Sequence, residues 1–452
     1  MRIVLVVHCF FPDHFYGTET YTLELARNLR DLGHDPVILS AIFPGETAGP
    51  EILSTYEYDN ISVYCINKNL HPNTRVKDTY YQPELKDFYR DLFSRLQADI
   101  VHVTHLINHT AVILEVLAEL NLTVVATMTD FFGFCFNNKL EAANGSLCTG
   151  PDRWRTNCLA CALKAQAQNP GASRRHRAAG VWPLSYMSAL ALNLLRRFPG
   201  CRTGPIAGFV LDITLRPDIL AHYYRTYRAT IAPTNFSRDV YIRNGLEAPM
   251  RKIHFGVDIA RTPKPIRPAT APLRFGYVGQ IAPHKGVDVL IEAFCLAQQE
   301  GASLEIFGPE DQDPTYMAKL RTMAQHRNIH FRGTFPKERM AEIFAGLDFL
   351  VIPSRWYENS PLVLLNSLAT HTPVVISDVK GMTEFVKPGE NGYIFRRGSA
   401  SSLAQILQSI LDGPQKARAM SSTTTYEKTT RAMTEEVIEL YQRVKAENAL
   451  IV

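Results

Sequence analysis

The stretch FLVIPSRWYENSPLVLLNSLAT, Phe349 to Thr370, decides the reading of the fold. Its opening apolar run, FLVIPS, fits a parallel strand buried on both faces. A turn carrying Glu358, Asn359 and Ser360 follows, and Pro361 opens a helix. Ser360 reads as the N-cap and Pro361 as the first helical residue, where a missing N–H has no intrahelical partner. A helix start offers unpaired backbone N–H groups to phosphate. Glu358, just before it, is placed to receive sugar hydroxyls. Strand, loop, acid and helix N-terminus together suggest a nucleotide-sugar site. The alternative is an ordinary strand-to-helix corner with an exposed Glu358.

The same alternation surrounds this stretch. LRFGYVGQ is a strand running into a loop, and IAPHKGVDVLIEAF continues into a helix with Lys285 and Gly286 at its start. A cation there would neutralise a diphosphate, helped by the helix N-terminus. SLEIFGPE, NIHFRGTF, LDFLVIPS and PVVISD are four further strands, each followed by a loop and a helix. Regular alternation predicts an α/β domain with a doubly wound parallel sheet. The proline-rich, aperiodic stretch Ile259–Pro272 reads as a linker. The expected domains are 1–258, with a variable helical insertion at about 150–225, and 259–432. A C-terminal helix, 433–452, is a candidate to return to the first domain.

The first half has the same grammar. Arg2–Cys9 is a buried strand, the helix through Thr22, Leu25, Ala26 and Leu29 stops at Gly33, and Asp35–Ser40 is the next strand. Gly17 lies in the loop between them, where ligands bind in open parallel sheets. Ile61–Asn67 is another strand and Leu85–Leu96 a helix. ADIVHVTHLINHT ends a strand in His102, His105 and His109, of which His105 is the preferred functional residue. Asp130 follows the next strand and either orients a sugar hydroxyl or caps a turn. Cys135, Cys148 and the C-x-x-C of Cys158 and Cys161 fall in a polar, turn-rich segment. They are candidate ligands of a structural zinc; partly buried reduced thiols are the alternative.

Composition sets limits. The chain has 452 residues, is 46% hydrophobic and 20% charged, and carries a net charge of +4. That charge is too small to argue for nucleic acid. MRIVLVVHCFFPD lacks the cationic start and small-residue cleavage site of a secretory signal, and no apolar run approaches the ~20 residues of a spanning helix. A cytoplasmic protein is expected. In SRRHRAAGVWPLSYMSALALNLLRRF, Arg174, Arg175, Arg177, Arg196 and Arg197 flank an apolar stretch. It either lies against the inner face of an anionic membrane or packs as a helix on its domain.

Taken in order, several stretches carry a resemblance: FPDHFYGTETYTLELARNL, ADIVHVTH, VVATMTDFFGFC, IAPTNFSRDVYIRNG, YVGQIAPHKGVDVLIEAF, FRGTFPKERMAEIFAGLDFLVIPSRWYENSPLVLLNSLATHTPVVIS and EFVKPGENGYIF. The chain resembles the retaining glycosyltransferases of the GT-B fold, family 4 (glycosyl transferases group 1). The resemblance implies two Rossmann-like domains facing a cleft and an enzyme of the EC 2.4 class. Such an enzyme moves a sugar from a nucleoside diphosphate donor to a glycan or lipid-linked hydroxyl with retention, in polysaccharide, lipopolysaccharide or cell-surface glycan synthesis. It implies no cofactor for catalysis. Lys285 would contact the diphosphate and Glu358 the sugar. Backbone from Asn359 and Ser360 through Pro361 to Leu362 would hold phosphate, and Gly17 would leave room for it. His105 and Asp130 complete the catalytic candidates.

Three positions depart from the family pattern. Gln280 stands where Arg is usual, which leaves more of the diphosphate charge to Lys285. Thr129 stands in place of a His that contacts the transferred sugar. Asn366 stands in place of a second Glu that takes the ribose hydroxyls, and a neutral amide loses a charge-assisted bond about twice as strong as a neutral one. The departures motivate an alternative, a GT-B-shaped binding or scaffold protein with weak catalysis in a glycan assembly system.

Overall fold

The computed structural model describes residues 1–168, 177–178, 180–195, 198, 203–262, 264, 267–268, 270–297, 301–325 and 328–449. The chain forms two compact units. Unit 1 is Met1–Ile253 with Met433–Val452, and unit 2 is His254–Ala432.

Unit 1 is built on β1 (Arg2–Val6), β2 (Asp35–Ile42), β3 (Leu53–Tyr58), β4 (Ile61–Asn67), β5 (Ile100–Val103), β6 (Val124–Thr127), β7 (Ala229–Ala232) and β8 (Met250–Lys252). Their order is β3-β4-β2-β1-β5-β6-β7-β8, and only β3 runs antiparallel. β1, β5, β6 and β7 are buried on both faces, which explains their unbroken apolar runs. β1 ends at Val6, so His8 and Cys9, expected within the strand, instead begin the loop at its carboxyl end. Helix Gly17–Asp31 follows and buries Tyr21, Thr22, Leu25, Ala26 and Leu29, with Gly33 at φ +78° beyond its end. β1 has β2 on one side and β5 on the other, so the chain reverses direction across the sheet there. A crevice opens at such a point, outside the carboxyl ends of the strands.

The last helix, Thr430–Ala449, seals unit 1. Met433, Val437, Leu440, Tyr441 and Val444 are buried along one face. The Tyr441 hydroxyl lies 2.5 Å from His102 Nδ1, Lys445 pairs with Asp99 at 2.5 Å, and Asn448 Nδ2 donates to Thr123 Oγ1 at 3.1 Å.

Unit 2 contains β9 (Leu273–Val278), β10 (Ala302–Phe307), β11 (Ile329–Gly333), β12 (Phe349–Ile352), β13 (Val374–Ser377) and β14 (Gly392–Phe395). All run parallel in the order β11-β10-β9-β12-β13-β14. Phe275, Leu290, Phe294, Leu304, Phe349 and Leu403 are core residues, all but completely buried. Here β9 is the reversal strand, flanked by β10 and β12. Unit 2 begins ahead of the proline-rich stretch, because residues 255–257 are tied to the end of the same unit. Tyr426 Oη donates to the Phe255 carbonyl at 2.5 Å and the Val257 N–H to the Lys428 carbonyl at 3.0 Å.

Candidate active site

In unit 2 the loops after β9 and β12 flank the reversal point and carry Lys285 and Glu358. Lys285 Nζ lies 2.8 Å from Glu358 Oε1. The same oxygen accepts from Ser354 Oγ at 2.7 Å and Trp356 Nε1 at 3.0 Å. Lys285 Nζ also sits 5.1 Å from the centre of the Trp356 ring, which in turn packs on His284 with centroids 3.9 Å apart. Glu358 is buried, 8% exposed, so the exposed corner is excluded. Burial pushes its pKa up, but the Lys285 charge and the bonds from Lys285, Ser354 and Trp356 outweigh it and hold the carboxylate below its ordinary value.

Two glycines make this approach feasible. Gly286 has φ +75°, and a Cβ there would lie 2.1 Å from the Pro353 carbonyl oxygen, so only glycine lets the Lys285 loop meet the end of β12. Gly381, at φ +92°, backs onto Glu358 itself, where a Cβ would lie 1.5 Å from its carbonyl oxygen.

The expected helix start needs correction. The helix runs Leu362–Ala369 with Pro361 as an extended N-cap at ψ 124° and no side-chain capping bond. Ser360 is not the cap: it stands at φ +63°, and its buried Oγ has no hydrogen-bond partner. The left-handed Ser360 turns the chain so that the helix begins one residue later, with the N–H groups from Leu362 onward at its start. Asn359 and Asn366 are half-buried, Asn366 in the middle of that helix. Gln280 is half-buried in the loop after β9, and its carbonyl accepts from Tyr277 Oη at 2.5 Å.

In unit 1, His105 and Asp130 come together at the carboxyl ends of β5 and β6. His105 Nδ1 accepts the Ile107 N–H at 3.0 Å, so Nε2 carries the proton donated to Asp130 Oδ2 at 2.7 Å. Asp130 Oδ1 accepts the Phe132 N–H at 2.8 Å, so this carboxylate caps a turn and orients a histidine at once. The other two histidines are structural. His102 sits between Tyr441 and Thr127, and His109 between Tyr89 and the Val7 carbonyl; burial lowers their pKa values to about 3 and about 4. Thr129 donates to the Thr104 carbonyl at 2.7 Å. Gly17 is exposed, and an added Cβ would meet nothing within 4 Å.

Sequence reasoning missed a neighbouring group. Glu19 is 1% exposed, and its Oε1 lies 3.1 Å from both His8 Nε2 and Cys9 Sγ. The His8 ring packs on His105 at 4.3 Å. His8 Nδ1 and Glu19 Oε2 are buried without hydrogen-bond partners. Burial, then the charges of His105, His109 and His14, lowers the His8 pKa well below its ordinary value. The available signal was an acid in the first turn of the helix that follows β1. Beside this group, between the β1 loop and the ends of β2 and β4, opens a cavity of about 870 Å³ lined by Asp13, His14, Ser40, Glu46, Glu51 and Tyr56, among others. Cys135, Cys148, Cys158 and Cys161 gather around a separate, much smaller cavity.

The fold and paired loops define the architecture of a GT-B glycosyltransferase. Residues 15–140 match the model of Glycosyltransferase Family 4, and residues 258–426 that of Glycosyl transferases group 1. The chain is 31% identical over 169 residues to a glycogen synthase of Mycobacterium tuberculosis, covering 37% of this chain and 41% of that protein. It is 29% identical over 153 residues to a D-inositol 3-phosphate glycosyltransferase of Nocardia farcinica, covering 32% and 34%. The matches thus span less than half the length of these relatives. Among solved structures, sucrose-phosphate synthase from Thermosynechococcus elongatus superposes with a TM-score of 0.63 at 17% identity over 99% of both chains. Anabaena HepE in complex with UDP and glucose gives 0.59 at 15% identity over 98% of this chain and 100% of that one.

Proposed function

We propose that this protein transfers a sugar from a nucleoside diphosphate donor to a hydroxyl of a glycan or lipid-linked acceptor, with retention at the anomeric carbon. The observation that carries the proposal is the pairing of half-buried Lys285 with buried Glu358 at the reversal point of unit 2, just before the helix start at Leu362. The HepE structures with UDP and glucose and with UDP-glucose support the donor class. On this reading the donor diphosphate draws Lys285 away from Glu358, and the helix N–H groups take further phosphate charge. Glu358, released, accepts a sugar hydroxyl as a full carboxylate. Asn366 offers an amide to the ribose. The bond from the anomeric carbon to phosphate breaks while a bond to the acceptor oxygen forms on the same face, and the acceptor proton passes to the departing phosphate. The diphosphate charge is met by Lys285 and backbone N–H groups, so this step calls on no metal. The acceptor belongs in the unit 1 cavity lined by Asp13, His14, Glu46, Glu51 and Tyr56, whose polar groups suit its hydroxyls.

Donor turnover measured for Lys285→Gln and Glu358→Gln tests the reading. Each is expected to lower kcat about 10²–10³-fold, the scale of losing one preorganised electrostatic contact. Near-normal rates in both would overturn it. Calorimetry with nucleoside diphosphates, read beside turnover, separates the scaffold alternative: no binding favours the scaffold, binding with turnover the enzyme.

We further propose that the protein works against an anionic lipid surface. Among the described residues no helix is long and apolar enough to cross a membrane. Helix Leu184–Leu195, however, is packed inside out. It buries Ser185, Ala189 and Asn193 and leaves Leu184, Met187, Leu190, Leu194 and Leu195 exposed. Val181 and Trp182 precede it, also exposed. Asn193 Nδ2 fixes this orientation through the Trp154 carbonyl at 3.1 Å and Thr156 Oγ1 at 2.9 Å. An apolar face with a Trp belongs at a lipid interface. Arg174, Arg175, Arg196 and Arg197 flank it in sequence but lie outside the described residues, and Arg177 is exposed. Flotation with vesicles containing anionic lipid should carry the protein upward, and Met187→Glu with Leu190→Glu should abolish this. Equal flotation of that double variant, or none of the unaltered protein, removes the proposal.

A further inference from the structure

Four cysteines of unit 1 converge from three pieces of chain. Cys135 lies in the long loop between β6 and the helix at Thr156. Cys148 closes a small hairpin, joined by the Glu141–Leu147 bridge and turned at Gly145 with φ +80°. Cys158 and Cys161 stand in the first turns of helix Thr156–Gln168, three residues apart and hence on one face. All four line a single cavity of about 10 Å³. That is room for about one water-sized body, the scale of a single ion. All four are free thiols.

Without an ion, the Cys135, Cys148 and Cys161 thiols donate to Asn137 Oδ1, the Gly150 carbonyl and the Glu141 carbonyl at 2.9, 3.3 and 3.6 Å; other groups nearby suit negative sulfur. The Gly150 N–H and Asn157 Nδ2 approach Cys148 Sγ at 3.4 and 3.6 Å. Cys158 and Cys161 sit at a helix start, whose partial positive charge favours thiolate. Arg216 is an independent indication. It is 3% exposed, lies between the Phe132 and Tyr80 rings at 4.7 and 5.8 Å, and its Nη1 has no hydrogen-bond partner. Burial pulls its pKa down, and the groups that raise it again are Cys135, Tyr224, Asp130 and Cys158. A buried guanidinium with so little compensation is costly. Thiolates at Cys135 and Cys158 would supply its counter-charge. A cation is what lets the thiols ionise together.

We propose that Cys135, Cys148, Cys158 and Cys161 form a tetrathiolate site for one zinc ion, which staples the loop after β6 to the helix at Thr156. On binding, four S–H protons pass to solvent and four S–Zn bonds form; no electron is transferred. The site then carries two net negative charges, at the start of the helix that bears Cys158 and Cys161. Among the described residues the one trio of ligand atoms already within 4.8 Å of one another is His8, Cys9 and Glu19. That trio is held together without an ion, since the His8 N–H and the Cys9 S–H both converge on Glu19 Oε1. The four sulfurs are wider apart and must rotate inward around the ion.

The test uses the full chain purified without chelator. Elemental analysis should find about one zinc per chain. Cobalt added to the chelator-stripped, thiol-reduced protein should give the intense ligand-field and sulfur-to-metal bands of a tetrahedral tetrathiolate. Alkylation should spare these four cysteines until chelator is added. Cys161→Ser should lose the metal and Cys295→Ser keep it. Because Cys161→Ser could fail to fold, the cobalt titration of the unaltered chain decides by itself. No uptake with all thiols reduced, the weak bands of an octahedral site, or a Cys158–Cys161 disulfide in the native protein would each overturn the proposal.

Discussion

Glu358 owes its position to a residue with no side chain. Gly381 stands at φ +92° with room for no Cβ, which would lie 1.5 Å from the Glu358 carbonyl oxygen. Gly381→Ala must therefore move either its own segment or Glu358, beyond the roughly 1–2 kcal/mol that a left-handed alanine already costs. It is expected to raise the KM for donor and to lower kcat toward that of Glu358→Gln, measured by initial rates at varied donor concentration. A variant with unchanged KM would show that the Glu358 position tolerates a shift. At this scale the sequence placed candidate residues beside strand ends and was silent about how they pair. Lys285 and Glu358 were legible because each stands beside a strand end and a helix start. Their ion pair was not, because it joins positions 73 residues apart. Ser360 misled because serine is a good cap in general, whereas here a left-handed backbone points its hydroxyl elsewhere. Of the histidines, His105 differs from His102 and His109 only in its neighbours, which alternation along a strand does not reveal.

At the scale of elements, the strands that were legible are those buried on both faces, whose apolar runs are continuous. β3 escaped notice because it is an edge strand, LSTYEY, with Ser54, Thr55 and Glu57 exposed and no residue fully buried, paired to β4 through the left-handed Asp59 and Asn60. Its signal lies in the turn, a pair of residues that tolerate φ > 0, rather than in hydrophobicity. β14 escaped because GYIF is only four residues long and follows a turn rich in glycine. Helix Leu184–Leu195 shows the opposite limit. Periodicity finds its two faces but assigns the apolar one inward by default, and the inward face is set by Asn193, a tertiary contact. The four cysteines are intermediate: the sequence groups all four as candidate ligands on the strength of one C-x-x-C pair, and the fold brings Cys135 and Cys148 to that pair around one cavity.

For the molecule as a whole, the two units should answer acid differently. His102 and His109 are buried neutral in unit 1, with pKa values lowered to about 3 and about 4 from 6.5 by burial. Between those values and 6.5 the unfolded chain binds protons that the folded chain refuses. Their contribution is therefore complete above pH 6.5 and is lost as pH falls, at up to about 1.4 kcal/mol per pH unit for each histidine. Tyr441 helps to bury His102, so the last helix belongs to the acid-sensitive part. In unit 2 the lowered pKa of Glu358 has another window: its contribution is intact above 4.5 and is lost only below it. Between pH 6.5 and 5, then, unit 1 weakens while the Glu358 site does not. Calorimetry at pH 7 and pH 5, with hydrogen exchange to assign each transition, should show the unit 1 transition moving to lower temperature and separating from that of unit 2. His109→Asn should reduce the shift, since its side chain has no proton to gain. A unit 2 transition that moved first, or an unchanged shift in that variant, would place the acid-sensitive groups elsewhere.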